Sequence, residues 1–252
     1  MSVVAVIQAR MTSSRLPGKV LMPILGKPLL AYQLERLRRC KNIDKIVLAT
    51  TTNTEDDPVA ELAKHEKIDI FRGSEHDVLD RMYHAATAAK ATTFVRLTGD
   101  CPLIDPLLID TMVTLLDNPQ IDYAHTAQSF AEGLSCEVCS MKLLEEAWNK
   151  AELASEREHV TLYIRNRPEK YSLFSYNNER DDSGYRITVD EPEDFEVVKL
   201  IIEALYPKTS DFTFTEIRNF LLEHPEIVRM NSKIIRNEGL IKSLTNDKIY
   251  KD

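Results

Sequence analysis

"SVVAVIQARMTSSRLPGK", residues 2–19, sets an apolar run against a loop of three cations, and its reading decides the fold. Valine and isoleucine branch at Cβ and favour extended backbone, so residues 3–9 read as a strand. Because the run is apolar at nearly every position rather than alternating, both faces should be covered, as in a parallel sheet. The same grammar recurs in "KIVLATT" (45–51), "IDIF" (68–71) and "TFVRLTG" (93–99). Helical patterns follow in turn: "PLLAYQLERLRR" (28–39), "PVAELAKHE" (58–66), "VLDRMYHAATAAK" (78–90) and "PLLIDTMVTLL" (106–116). Strand then helix, four times, predicts an α/β domain with a mainly parallel sheet and helices on both faces. Pro28, Pro58 after Asp57 and Pro106 after Asp105 mark helix starts, where a missing N–H costs nothing.

Beyond "NPQIDYAHT" (118–126) the alternation loosens. "LSCEVCSM" (134–141) and "KYSLFSY" (170–176) read as strands around a helical stretch, residues 142–168. "YRITVDEPEDFEVVKLIIEAL" (185–205) then repeats strand, turn and helix, which predicts a return to the main sheet. The expected organisation is a main domain over 1–207, an excursion over about 120–180, and a helical C-terminal extension over 208–252.

The 252 residues carry a net charge of −8, which argues against a nucleic-acid or anionic-membrane partner, since those are met by a basic field. No apolar run approaches the length of a membrane span and none resembles a secretion signal, so a cytoplasmic location is expected. Four cysteines are too few for a disulfide scaffold, and the one C-x-x-C, Cys136 and Cys139, lies in a strand-like run rather than a zinc or redox motif. The six histidines form no spaced metal cluster.

Against this acidic background the opening loop stands out. Arg10, Arg15, Lys19 and Lys27 are the only charges before Glu35. Arginine forks and a lysine point charge at the end of a parallel strand suit a polyanion, and a triphosphate is the natural candidate. Neither G-x-x-x-x-G-K-[ST] nor G-x-G-x-x-G follows the strand, which disfavours P-loop ATPases and dinucleotide oxidoreductases. No D-x-D is present, which disfavours a metal-dependent glycosyltransferase. Asp100 in "LTGDCPLIDP" ends an apolar strand, where a carboxylate can hold Mg²⁺ against phosphate or simply form a turn. Asp190 in "ITVDEPEDFE" has the same two options, with Glu193 placed to complete a helix cap. In "FRGSEHDVLDR" Ser74 and Asp77 read as caps; in "EREHVTLYI" the run Arg157, Glu158, His159 is either a solvated face or a substrate-facing cluster.

Taken in order, "VIQARMTSSRLPGKVLMPILGKPLL", "IVLATTTNTEDDP", "IFRGSEHDVLDR", "VRLTGDCPLIDP", "EREHVTLYI", "ITVDEPEDFE" and "RNEGLIKSL" resemble the successive motifs of the sugar-acid cytidylyltransferases. The likeness is to 3-deoxy-manno-octulosonate cytidylyltransferases and, more closely, to the SpsF-type proteins of spore-coat polysaccharide biosynthesis. It implies a Rossmann-like α/β/α sandwich with a small inserted dimerisation and acceptor lobe. The implied reaction moves CMP from CTP to a small-molecule acceptor, releasing pyrophosphate, in surface polysaccharide or glycoconjugate precursor synthesis by a homodimer. A different acceptor (a phosphorylated polyol, sugar or phosphonate) or a non-catalytic nucleotide-binding protein are the alternatives. The resemblance assigns Arg10, Arg15 and Lys19 to the triphosphate, and Gln8, Ala9, Thr50, Arg72 and Gly99 to the nucleotide. Asp100 and Asp190 would share Mg²⁺, with Arg15, Lys19 and Asp100 the catalytic set. Glu137, Glu158 and His159 would lie near the acceptor. "TGDCPLID" differs from the "GDEP" form of the octulosonate enzymes, which leaves the acceptor open.

Overall fold

Val4, Ala5, Val6 and Ile7 are completely buried, which places β1 (Val3–Gln8) at the centre of the sheet. Successive strand residues face opposite ways, so Ala5 and Ile7 join one apolar cluster and Val4 and Val6 the other. Each of the valines and the isoleucine contributes about 1.5–3 kcal/mol relative to exposure.

The structure is a computed structural model that describes residues 2–250. After β1 come a small hairpin, β2 (Pro23–Ile24) and β3 (Lys27–Pro28), then α1 (Leu29–Leu37), β4 (Lys45–Thr51) and α2 (Asp57–His65). Next are β5 (Asp69–Gly73), α3 (Val78–Ala88), β6 (Thr93–Thr98), α4 (Pro106–Leu115), β7 (Tyr123–Thr126) and β8 (Glu137–Ser140). Helices α5 (Met141–Lys150), α6 (Ala154–Glu158) and α7 (Leu162–Arg165) lead to β9 (Leu173–Tyr176). The chain ends with α8 (Pro192–Leu205), α9 (Phe214–Glu223), α10 (Pro225–Asn231) and α11 (Glu238–Thr245).

The seven-stranded sheet runs β5-β4-β1-β6-β8-β7-β9. Strands β5, β4, β1 and β6 are parallel, β8 is antiparallel to both its neighbours, and β9 is parallel to β7. Helices α1, α2, α4 and α8 bury their apolar stripes on one face, and α3, α5 and α7 on the other. This is the α/β/α sandwich with a mainly parallel sheet that the repeated strand–helix pattern predicts. Among the described residues no helix is long and apolar enough to cross a membrane.

From β1 the chain moves outward through β4 to β5, then crosses to β6 on the other side of β1. That reversal opens a crevice at the carboxyl ends of β1 and β6, the usual ligand position in such sheets. The two loops approach closely there. Gly99 N donates to Gln8 O at 2.8 Å, and a Cβ on Gly99 would lie 2.9 Å from the Ala9 Cβ. Glycine at this position lets the crevice close.

Local chemistry explains several element ends. Asp105 caps α4 by accepting from Leu107 N at 2.9 Å, and its other oxygen accepts from Phe214 N at 2.9 Å. Asp77 caps α3 by accepting from Asp80 N at 2.8 Å, while Ser74 Oγ accepts from Asp77 N at 3.0 Å.

Two parts of the sequence reading need correction. Residues 185–189 are extended but form no ladder strand: Ile187 N donates to Glu132 O at 2.7 Å and Val189 N to Asp100 O at 2.8 Å. Their neighbours are loops, so the segment stitches two loops together instead of joining the sheet. Asp190 also does not cap α8. Asp194 Oδ2 accepts from both Asp190 N and Glu191 N at 3.0 Å, leaving the Asp190 carboxylate to point elsewhere. The C-x-x-C reading holds as structural: Cys136 and Cys139 belong to opposite apolar clusters and cannot share a ligand.

Asp194 has a second task. It is fully buried and pairs with Arg186 through two contacts of 2.8 and 2.9 Å, while Asn231 Nδ2 donates to it at 2.9 Å. Breaking such a pair leaves a buried charge uncompensated, so Asp194→Ala should lower the unfolding free energy by about 3–5 kcal/mol. Urea denaturation measures this; a loss below about 1 kcal/mol would show that the pair does not hold the segment.

Candidate active site

The opening loop is shaped before it is charged. Met11 N donates to Asp56 Oδ1 at 2.6 Å, and the fully buried Asp56 carboxylate also accepts from the Thr51 hydroxyl at the end of β4. Gly18 takes the left-handed conformation at φ 73°, which turns the chain so that Lys19 enters the crevice.

There the Lys19 ammonium donates to Val189 O at 2.6 Å and Asp190 Oδ1 at 2.7 Å, and lies 3.6 Å from Asp100 Oδ2. Burial by itself lowers the ammonium's pKa, yet Asp100 and Asp190 outweigh it and hold the pKa above the ordinary lysine value. The converse holds for Asp190, where burial is overcome by Lys19, Arg15 and Arg186 and the carboxyl stays below its usual range. Three segments distant in sequence thus meet as one charged cluster.

Arg15 stands beside it, 3.1 Å from Asp190, 3.2 Å from Glu191 and 2.9 Å from Glu238 of α11. Arg10 lies further along the loop, 3.8 Å from Glu75. A cavity of about 390 Å³ opens over these groups, lined by Gln8, Ala9, Arg10, Arg15, Lys19, Gly99, Asp100 and Asp190 among others. Eight of the residues expected at the triphosphate, the nucleotide or the metal are therefore gathered in one place.

A second cavity, also about 390 Å³, shares Arg15, Thr98, Asp100, Asp190 and Glu238 with the first. Its floor is one lateral row of the sheet: Arg96 on β6 pairs with Glu137 on β8, Glu137 with His125 on β7, and His125 with Ser175 on β9. Residues paired side by side share a face, and all four line the cavity. Glu137 is tied to Arg96 at 3.2 Å, Arg165 at 3.8 Å and the Thr161 hydroxyl. Burial alone would raise its pKa, but the two guanidinium groups and that hydroxyl keep it below the ordinary value. Glu137 is held ionised and serves to orient the arginines.

His159 lines the second cavity and Glu158 the first. Both meet Ser243 of α11, whose Oγ donates to Glu158 at 2.6 Å and lies 3.0 Å from His159 Nε2. Two expected residues lie elsewhere. Arg72 spends its fork on Thr51 O, Asn53 O and Asp57 Oδ1 at 2.7 to 2.8 Å, bracing the turn after β4. Thr50 is buried in β4 and lines neither cavity.

The structure adds Arg96, His125, Arg165, Arg236 and Glu238 to the site. Of these, Arg96 had a signal, a lone charge inside the apolar strand "TFVRLT".

Among the described residues no three His, Cys, Asp or Glu side chains gather as a metal cluster. The two carboxylates at Lys19 are hard oxygen donors opening onto a polar cavity. That set suits Mg²⁺, which takes few protein ligands and completes its shell with water and phosphate oxygens, and it does not suit a four-ligand zinc site.

A family model described as cytidylyltransferase matches residues 4–231. The chain is 37% identical over 231 residues to the spore coat polysaccharide biosynthesis protein SpsF of Bacillus subtilis, covering 88% of this chain and 94% of that protein. It superposes on the structure of a cytidylyltransferase from Leptospira borgpetersenii with a TM-score of 0.87 and 37% identity, covering 94% of this chain and 100% of that one. A CMP:2-keto-3-deoxy-manno-octonic acid synthetase solved with CTP shares the fold, with a TM-score of 0.63 at 18% identity over 81% of this chain and 99% of that one. The cations of the first loop, the two acids at Lys19 and the match over residues 4–231 agree, and the chain belongs to the cytidylyltransferase family.

Proposed function

We propose that the protein transfers CMP from CTP to a hydroxyl of a sugar-acid-like acceptor, releasing pyrophosphate, in the synthesis of a surface polysaccharide or glycoconjugate precursor. The single observation behind this reading is the cluster of Lys19, Arg15, Asp100 and Asp190 at the crevice between β1 and β6. It offers cations to a polyphosphate and paired carboxylates to its metal. Family membership, the name of the SpsF relative and the CTP complex of a fold neighbour support CTP as the donor.

Asp100 and Asp190 would hold Mg²⁺. Bound there, the ion supplies Lewis-acid stabilisation of phosphate oxygens. Lys19 and Arg15 neutralise charge that accumulates on the leaving pyrophosphate, a contribution that is largest in the transition state. Arg10 and the backbone of residues 8–10 fix the nucleotide's position, and positioning is most of what phosphoryl and nucleotidyl transfer demands of a protein. The second cavity receives the acceptor, with Arg96 and Arg165 held by Glu137 so that they can face a carboxylate. Glu158 and His159 tie α11 to this region through Ser243.

Two measurements test the reading. Arg15→Ala should weaken CTP binding about tenfold or more, or about 1.4 kcal/mol, by isothermal titration calorimetry; unchanged affinity would remove Arg15 from the triphosphate site. Pyrophosphate release should be measured with the four nucleoside triphosphates against 3-deoxy-manno-octulosonate, glucose 1-phosphate and 2-aminoethylphosphonate. CTP with the sugar acid should be fastest; equal rates with all four nucleotides, or no release from any pair, would overturn the proposal.

A further inference from the structure

His125 is the ionisable member of the polar row whose chemistry the mechanism above leaves unused. Its Nδ1 lies 3.1 Å from Thr126 O. A carbonyl oxygen can only accept, so Nδ1 carries the proton and Nε2 carries the lone pair. The ring stacks on Tyr123 with centroids 5.7 Å apart and planes 29° apart, which fixes its orientation on the strand. Among the described residues no group bonds to Nε2, although the residue lines the second cavity.

Arg236 donates to Gln128 O at 2.9 Å, and the other charged groups around that cavity are paired among themselves. Glu137 holds Arg96 and Arg165, Glu132 holds Arg186, and Glu238 holds Arg15 and Lys242. Asp100 and Asp190 face Lys19 and the metal proposed above, and His159 Nε2 meets Ser243. We propose that His125 is a specificity-determining residue of the acceptor site, its Nε2 accepting a hydrogen bond from an acceptor hydroxyl, so that the acceptor must present a hydroxyl donor there beside the group that meets Arg96 and Arg165. The inference rests on the nucleotidyltransferase reading of the site and deepens it. An acceptor atom that the bound substrate covers and leaves without a donor discriminates strongly against analogues lacking the hydroxyl.

The neutral ring is the binding form. Burial lowers the His125 pKa below the ordinary 6.5; the Thr126 carbonyl opposes this, Arg165 of α7 adds to it and Glu137 of β8 opposes it. Acceptor binding should therefore be complete near neutrality and be lost as pH falls through a value below 6.5.

The test uses the full chain and the best acceptor of the three named above. His125→Phe keeps an aromatic ring against Tyr123 and removes the lone pair; His125→Gln returns an acceptor atom near the Nε2 position. The expected result is an acceptor KM raised about tenfold or more in His125→Phe, with CTP affinity unchanged, recovery to within about threefold in His125→Gln, and loss of the acid limb of the acceptor KM profile in His125→Phe. Unchanged acceptor KM in an active His125→Phe, or equal losses of CTP and acceptor affinity, would overturn it. If the wild type releases no pyrophosphate with any acceptor, the functional proposal fails separately. ¹⁵N NMR of the His125 ring then decides the structural claim, an Nδ1–H tautomer supporting it and an Nε2–H tautomer overturning it.

Discussion

The Lys19 ammonium, set between the carboxylates of Asp100 and Asp190, is the interaction on which the site depends. It joins the end of β1, the end of β6 and the segment before α8. Burying an ammonium costs several kcal/mol, and only close opposite charges with good geometry offset that. The protein meets the condition by fixing the acids from behind. Asp190 is anchored through its own backbone N–H to Asp194, which is itself bound to Arg186 and Asn231. Asp100 accepts from the Thr98 hydroxyl at 2.5 Å, and its carbonyl accepts from Val189 N at 2.8 Å. The charges can stay poised because apolar packing and buried hydrogen bonds restrict their movement.

The two cavities divide the chain's labour. Residues from the parallel half of the sheet build the chamber over the first loop. The excursion adds β7, β8 and β9, of which only β8 runs against the other strands, and their polar row together with Arg96 of β6 makes the floor of the second. Helix α11 has no buried residue and reaches both chambers through Glu238 and Ser243. It also lies beyond residue 231, where the family model ends. A segment with no buried residue is suited to tuning a site, since its sequence is free of core-packing demands.

Much of this was legible in the sequence because periodic patterns and proline-marked helix starts are local properties. The four apolar runs became β1, β4, β5 and β6, and the cationic loop proved to be the wall of a cavity. Other features depended on partners far along the chain. Residues 185–189 have strand composition, but a strand needs a straight neighbour and found two loops. Asp190 with Glu193 has the spacing of a helix cap, and only the positions of Arg186 and Lys19 show that Asp194 takes the backbone N–H groups while Asp190 faces the crevice. Arg72, expected at the nucleotide by resemblance, has its fork bonded to the turn after β4. His125 sits in "DYAHT", where nothing local says that Arg96 and Glu137 will be its lateral neighbours.

Calorimetric titration of CTP with and without Mg²⁺, in the wild type and in an Asp100→Asn/Asp190→Asn double variant, tests the central claim most directly. The account predicts that Mg²⁺ tightens CTP binding about tenfold or more in the wild type and has no effect in the double variant, whose circular dichroism remains that of the folded protein. Undiminished Mg²⁺ dependence in the folded double variant would contradict it.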